Sequence, residues 1–454
     1  MKYLDSNIFN LEVLTFGFSK LIMKKFSKKK ILICSYYFPP TKTVATVRVF
    51  NFHLEAQKHF KEVYGLTTSN RQLFSKDHFP LDDKNTTEVW TYDLRTFLSK
   101  KNNGATSINE GVKENRLVKF ISKLAYSFPF NLVLADGALT FIIGGFFKGK
   151  KIIQKNKIEV IFSSFKPYSN HLICYLLKRW NPQLIWIADF RDLHIDEMRD
   201  NVYFPKLQHW FNRKTLKRAD VVTTVSEGLV KNLAAYHSNI YVLRNAISSS
   251  VAPTIETSFF DKFSISYTGS IYANLRSAEL LMKALQNLIA AGKIDKEKIQ
   301  LNYAGKEEAI WMQWINDFGL QKINYCHSVT SMQEAKMIQQ KSHINLLLSW
   351  ASENQQGILT AKFYEYIAAQ NPILLIIKGS KDYEFEKIFD ELQAGLVTYD
   401  HSDFLKLIEN FILKYYQEWL EKGTITRSIK SDALQKYRWE NQMKQFLNYL
   451  NKEL

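Results

Sequence analysis

The sequence predicts an α/β protein of two domains, each built on its own parallel sheet. Short apolar runs such as Ile31–Cys34, Val160–Phe162 and Ile373–Ile377 alternate with stretches of helical character, the pattern of βαβ units. Polar residues recur at the C-terminal ends of those runs, where open α/β sheets form their ligand crevice. A chain of 454 residues also exceeds what one core supports, which points to two domains of roughly 200 residues each.

Composition narrows the class. With 46% hydrophobic and 14% aromatic residues the chain has enough apolar material to fold over most of its length. A formal charge of +17 favours an anionic partner: a nucleotide, a lipid headgroup, an acidic polysaccharide or a nucleic acid. No RNA-binding motif or zinc-ligand array accompanies the basic runs, which argues against nucleic acid. Cys34, Cys174 and Cys326 are sparse, odd in number and set among apolar residues. They read as small buried hydrophobes in a reducing, cytoplasmic compartment rather than as a disulfide framework.

Residues 1–29 form an N-terminal extension. The mixed stretch Asn7 to Met23 is followed by Lys24, Lys25, Lys28, Lys29 and Lys30, the reverse of the charge order of a secretory signal. Two readings stand: Met23 is the true start, or the segment is a basic amphipathic helix resting on anionic lipid. A second apolar stretch, Phe128 to Phe147, is broken by Pro129, Asn131, Asp136 and Gly137, so it lacks the run of about 20 apolar residues that a spanning helix needs.

The first domain, residues 30–250, opens with the run Lys30 to Pro40, a short apolar strand that ends in a loop at Pro39-Pro40. A helix from Val47 to Phe60 and a strand from Glu62 to Thr67 complete the first βαβ unit. Asn70 to Arg116 is polar and aperiodic, an irregular insertion with at most one strand near Val89 to Tyr92. Strands follow at Val160–Ser164, Leu184–Asp192, Val221–Glu227 and Tyr241–Asn245, with a helix from His171 to Trp180. Periodicity fades from Ser248 to Lys262, where the interdomain linker is placed.

The second domain, residues 251–430, begins with a strand at Ser264–Thr268 and the turn Gly269-Ser270. Ser277 caps a helix from Ala278 to Ala291 that Gly292 ends. Further strands are predicted at Ile299–Ala304, Ile344–Leu348 and Ile373–Ile377, and a final helix, Asp432 to Leu450, within residues 431–454.

The most specific chemistry lies in Gly357 to Pro372. It reads as a loop, a short helix with Thr360 as N-cap, and a buried strand. Lys362 and Glu365 share a helix face, and the free backbone N–H groups of Gly357 and Thr360 lie just ahead of them. A helix start beside a cation suits phosphate, and a carboxylate one turn deeper accepts hydrogen bonds from sugar hydroxyls. Ordinary αβ packing accounts for this one segment equally well.

Four segments in order resemble the family 4 glycosyltransferases: Ser35 to Pro40 with Arg48; Asp189-Phe190-Arg191-Asp192; Tyr267-Thr268-Gly269-Ser270 with Arg276; and Lys362 to Pro372. The resemblance implies the GT-B fold, two Rossmann-like domains facing a cleft, with the final helix crossing back to the first domain. It implies that Glu365 binds the nucleotide ribose, that Arg276 and Lys362 face the diphosphate, where fixed charge stabilises a leaving group, and that Gly269 lets the backbone approach the phosphates, with Ser270 and Gly357 also on the donor side. Asp189 and Asp192 would be catalytic groups on the acceptor side, with Pro40, Arg48 and His194; an Asp–Arg–Asp ion-pair network holding the loop explains the aspartates as well.

The chain departs from that family's pattern. Gly357 stands where the first of two glutamates with seven residues between them is usual, and Glu353 lies four residues too early to replace it. Thr41 to Thr46 replaces paired glycines, and Asn245-Ala246 the usual Asn-Gly. No cofactor or metal is expected, since no HExxH or Asp-x-Asp motif stands near the nucleotide segment, and no P-loop or Gly-x-Ser-x-Gly occurs. The expected partners are a nucleotide-sugar and a glycan or lipid-linked acceptor, at an anionic membrane surface and in cell-surface polysaccharide synthesis, with anomeric configuration retained. The competing readings are a sugar-nucleotide epimerase on the same fold and a non-catalytic basic protein binding lipid or nucleic acid.

Overall fold

The strands form where the apolar runs are. The protein is described by a computed structural model that covers residues 24–41, 43–71, 79, 84–92, 123–125, 127–134, 138–195, 202–248, 258–272, 274–328, 331–353, 355–427 and 429–454. The N-terminal extension before Lys24, most of the insertion after Asn70 and the middle of the linker lie outside these residues. The chain divides into two units, one of residues 1–225, 229–244 and 442–454, the other of residues 226–228 and 245–441.

The first unit is built on seven strands: β1 (Lys30–Cys34), β2 (Glu62–Thr68), β3 (Thr86–Val89), β4 (Val160–Phe165), β5 (Ile185–Phe190), β6 (Val221–Thr224) and β7 (Ile240–Val242). They lie in the order β3-β2-β1-β4-β5-β6-β7 and every pair is parallel. Strands such as β4 are buried along their whole length, as expected of a parallel sheet covered on both faces. The register sets Ser164 of β4 beside Asp189 of β5, and Asp189 beside Thr223 of β6. Laterally paired residues project from the same face, so two hydroxyls flank one carboxylate.

Helix α1 (Val44–His59) starts three residues before the sequence suggests, because Thr43 and Thr46 form a reciprocal capping box that satisfies two otherwise orphaned N–H groups. The threonines that stand in place of paired glycines therefore start a helix. Helices α2 (Asn131–Leu134) and α3 (Ala138–Asn156) were not foreseen. The glycines inside α3 hide its periodicity, yet they are what seats it. A Cβ on Gly145 would lie 2.5 Å from Ile173 and one on Gly149 3.0 Å from Leu177, so two glycines four apart meet two branched residues four apart on α4 (Ser169–Trp180). Helices α5 (Pro205–Leu216) and α6 (Glu227–Leu233) follow.

The second unit carries β8 (Phe263–Thr268), β9 (Ile299–Ala304), β10 (Asn324–Cys326), β11 (Ile344–Ala351), β12 (Ile373–Gly379) and β13 (Gly395–Tyr399). Their order is β10-β9-β8-β11-β12-β13, again all parallel. Helices α7 (Glu279–Ala290), α8 (Glu308–Asp317), α9 (Met332–Lys341), α10 (Ala361–Ala369), α11 (Tyr383–Leu392) and α12 (Leu405–Lys422) alternate with these strands. Helix α7 starts one residue later than expected, so Ala278 and not Ser277 is its N-cap, although the Ser277 hydroxyl accepts from the N–H of Glu279 at 3.1 Å. Trp311 is fully buried, stacks on Tyr303 at 4.9 Å and donates to Asn324 at 2.9 Å. Tyr267 lies parallel to both rings, so this aromatic stack holds the end of β8 in place.

The final helical stretch is broken. Ser431–Leu434 and a 3-10 turn at Gln435–Tyr437 precede α13 (Trp439–Glu453), so Trp439 opens that helix instead of lying inside it. Within the first unit, Gln442 accepts from the N–H of Arg244 at 3.1 Å, and Phe446 packs on Tyr241.

Candidate functional site

At the C-terminal end of β8 the chain turns at Gly269, whose φ of +115° is a conformation glycine adopts without strain. The space a side chain would fill there is taken by Lys362, whose Cε lies 2.0 Å from the place of a Cβ. Here the glycine makes room for a lysine, a different use from the phosphate approach that the resemblance implies. Lys362, near the start of α10, carries its ammonium 4.8 Å from the Tyr267 ring centroid and 3.4 Å from the Tyr267 hydroxyl. Burial first and then the charge of Arg276 pull its pKa down, against Glu365 and Glu307, to about 8.

Arg276 is nearly buried. It donates to the carbonyl of Ser270 at 3.1 Å, and its guanidinium lies 4.9 Å from the Tyr272 ring. The same carbonyl accepts from the Tyr267 hydroxyl at 2.7 Å. The buried Nε of Arg276 meets no hydrogen-bond partner. Glu365, one turn along α10 from Lys362, accepts from Gln339 Nε2 at 3.0 Å, and that amide also reaches the Thr268 hydroxyl at 2.9 Å. Two cations, an unsatisfied donor and an anchored carboxylate are thus gathered within one unit, around Gly269 and Ser270.

Gly357 keeps other company. Its N–H, expected to be free, donates to Asp382 at 2.8 Å, while Asp382 also caps α11 through the N–H groups of Glu384 and Phe385. A Cβ at Gly357 would fall 1.9 Å from a Glu384 carboxylate oxygen, and φ there is +65°, so a glutamate would have to displace Glu384 and strain the backbone. Glu384 in turn accepts from the backbone N–H groups of Glu227 and Gly228 at 3.0 and 2.9 Å. Thr360 occupies the N-cap of α10 with its side chain making no capping bond. Glu353 is exposed after β11.

In the first unit the structure joins Arg48 and Asp189. Arg48 donates to both carboxylate oxygens, at 2.9 and 2.6 Å, and to the carbonyl of Leu243 at 2.8 Å. Ser164 and Thr223 add bonds of 2.7 and 2.8 Å. Asp189 is fully buried; burial alone would raise its pKa, but the Arg48 charge and hydrogen bond, with those of the two hydroxyls, bring it below the usual value. The ion pair weighed for the Asp–Arg–Asp motif therefore exists with a different arginine, and Asp189 anchors a buried network instead of presenting an open carboxylate. Arg191 instead hydrogen-bonds the carbonyl of Ala45.

Asp192 lies 3.9 Å from Lys166, a partly exposed pair of little energetic weight. His194 stacks on Tyr168 at 4.1 Å, and its Nδ1 lies 2.6 Å from Asn212 Oδ1, which makes Nδ1 the donor. Burial draws its pKa down to about 3 against that bond, so the ring is neutral at physiological pH. The carbonyl of Pro40 accepts from the N–H of Phe79 at 2.6 Å.

Sequence reasoning missed Gln339, Tyr267 as the lysine's platform, and the Ser164 and Thr223 hydroxyls. Gln339 carries no local signal on α9; the two hydroxyls become visible only through strand register. Among the described residues, no cluster of three or more His, Cys, Asp or Glu is placed to hold a metal ion, and no helix is long and apolar enough to cross a membrane.

No family model and no curated protein sequence matches this chain. Solved structures do match. Sucrose-phosphate synthase from Thermosynechococcus elongatus is similar with a TM-score of 0.55 at 12% identity, over 94% of this chain and 99% of the other. A glycosyltransferase from Rickettsia africae gives 0.55 at 13% identity over 94% and 99%. A TarM mutant of S. aureus, in complex with fondaparinux, alpha-GlcNAc-glycerol and UDP, gives 0.54 at 12% identity over 93% and 100%. Identity this low speaks for architecture alone. With two parallel sheets of seven and six strands and likeness along nearly its whole length, the chain has the GT-B fold.

Proposed function

We propose that the protein is a glycosyltransferase that moves a sugar from a nucleotide-sugar donor to a glycan or lipid-linked acceptor. The observation that carries this reading is the convergence of Lys362 and Arg276, two cations drawn into one poorly solvated place. Like charges held together out of water are costly, and a diphosphate relieves that cost while offering an acceptor to the unsatisfied Nε of Arg276. Glu365, held on one side by Gln339, accepts in this reading from the hydroxyls of a ribose. In the transfer, the bond from the sugar C1 to the diphosphate oxygen breaks with its electrons going to the diphosphate, and an acceptor hydroxyl oxygen bonds C1 and gives up its proton to the departing diphosphate. The cations lower the barrier by stabilising the departing charge.

The occurrence of UDP in the TarM complex makes uridine diphosphate sugars the first donors to try. Isothermal titration with a panel of nucleotide-sugars is expected to show one that binds, and Glu365→Ala to abolish that binding. Equal binding by wild type and variant across the panel would overturn the reading. Epimerised donor formed without acceptor would assign the epimerase instead. The resemblance of the four sequence segments to family 4 glycosyltransferases supports retention of configuration and a place in cell-surface polysaccharide synthesis; NMR of the first-formed anomer reads the former.

A further inference from the structure

Helix α3 has a fixed rotation. Its glycines seat it on Ile173 and Leu177, Gly144 backs onto Val89, and Phe141 is fully buried. The opposite face, Leu139, Ile143 and Phe147 at steps of four, is therefore turned outward, and Phe147 is 63% exposed. The apolar surface continues beyond this helix. Tyr92, exposed, is tied to α3 through its N–H to the Thr140 hydroxyl at 2.9 Å. Helix α2, packed against α3, exposes Val133 and Leu134, and Phe130 just before it touches Phe204 at the start of α5. On α5, Trp210 is 53% exposed with Lys214 over its ring at 4.9 Å. Large apolar side chains left exposed together on neighbouring elements mark an interaction site.

The charges around it choose the partner. Helices α2, α3 and α5 contain no acidic residue, while α3 carries Lys148, Lys150, Lys151 and Lys155, and α5 carries Lys206, Arg213 and Lys214. Two copies of this face would oppose like charges. Protein interfaces are depleted in lysine, and lysine dominates here. Aliphatic side chains, a tryptophan and a tyrosine at the polar boundary, and lysines around them are the make-up of a face that lies in the headgroup region of an anionic bilayer.

We propose that this face of the first unit docks on an anionic lipid bilayer, with Leu139, Ile143 and Phe147 inserted among the acyl chains and the lysines at the headgroups. The inference does not depend on the donor reading, and its test involves no turnover. The full chain is sedimented with vesicles of phosphatidylcholine alone and of phosphatidylcholine with phosphatidylglycerol. Wild type is expected to bind the anionic vesicles in a salt-dependent way, and Ile143→Asn with Phe147→Asn to weaken that partition by at least about tenfold with an unchanged circular dichroism spectrum. Trp210→Ser serves as an independent variant should the double variant fold poorly, with a smaller loss in the same direction. Lys151→Glu with Lys155→Glu is expected to reduce binding most at low salt. Failure of wild type to bind, or unchanged binding by all these variants, would overturn the proposal. Self-association without vesicles that Phe147→Asn abolishes would instead assign the face to a second copy of the chain.

Discussion

Replacing Arg48 by methionine is expected to destabilise the first unit by about 3–5 kcal/mol, because it leaves the Asp189 charge buried without its partner. Both groups are shielded, at 4% and 0% exposure of their side chains, so solvent screening offers no discount. Asp189→Leu alone should cost a similar amount by stranding the guanidinium. The double variant should lie closer to wild type than either single one, since two apolar groups leave no charge to satisfy. Hydrogen exchange over Ile185–Phe190, read beside urea unfolding, checks this locally; a loss below about 1 kcal/mol would mean the pair is open to water. The pH dependence has a definite sign. The folded pKa of Asp189 is depressed, so its contribution is complete above the unfolded value near 3.9 and is lost as pH falls through the lower folded value.

Lys362→Ala is expected to lower kcat/KM by about 100- to 1000-fold, the usual effect of removing one donor from a site where charge develops. The structure adds a signature that simple loss of packing would not produce. With its pKa near 8 in the free protein, the lysine is partly neutral in mildly alkaline solution, and an anion bound beside it draws a proton back. Donor binding at pH 8 to 9 should therefore take up protons in wild type, visible as a dependence of the titration heat on buffer ionisation enthalpy, and Lys362→Ala should abolish that uptake. For stability alone the sign is reversed from the common lysine case. The depressed pKa is a cost of folding that is fully present below pH 8 and relieved as pH rises toward the unfolded value near 10.4.

The parallel sheets were legible because a strand covered on both faces reads as a plain apolar run; Ile299–Ala304 was found to the residue. Helix α3 was not, because the glycines that let it approach Ile173 and Leu177 are the same residues that erase its periodicity. In the candidate site, Lys362 and Glu365 were readable from helical spacing. The use of Gly269 was not, since the lysine that fills its missing side chain lies 93 positions away in sequence and only the fold brings the two together. Gly357 shows the converse. Its lack of a side chain looked like a lost glutamate, whereas a carboxylate from Glu384 already occupies the space.

The assignment of residues 442–454 to the first unit has a temporal meaning. During synthesis nearly all of the second unit is made before the partners of Arg244 and Tyr241 on α13, so a first unit that has its sheet waits for its last helix until the end of translation. Domains generally fold as they emerge, N-terminal part first; here the part begun first is finished last. A chain truncated after Asn441 should therefore show a protected second sheet beside a first one whose Ile240–Val242 edge still exchanges.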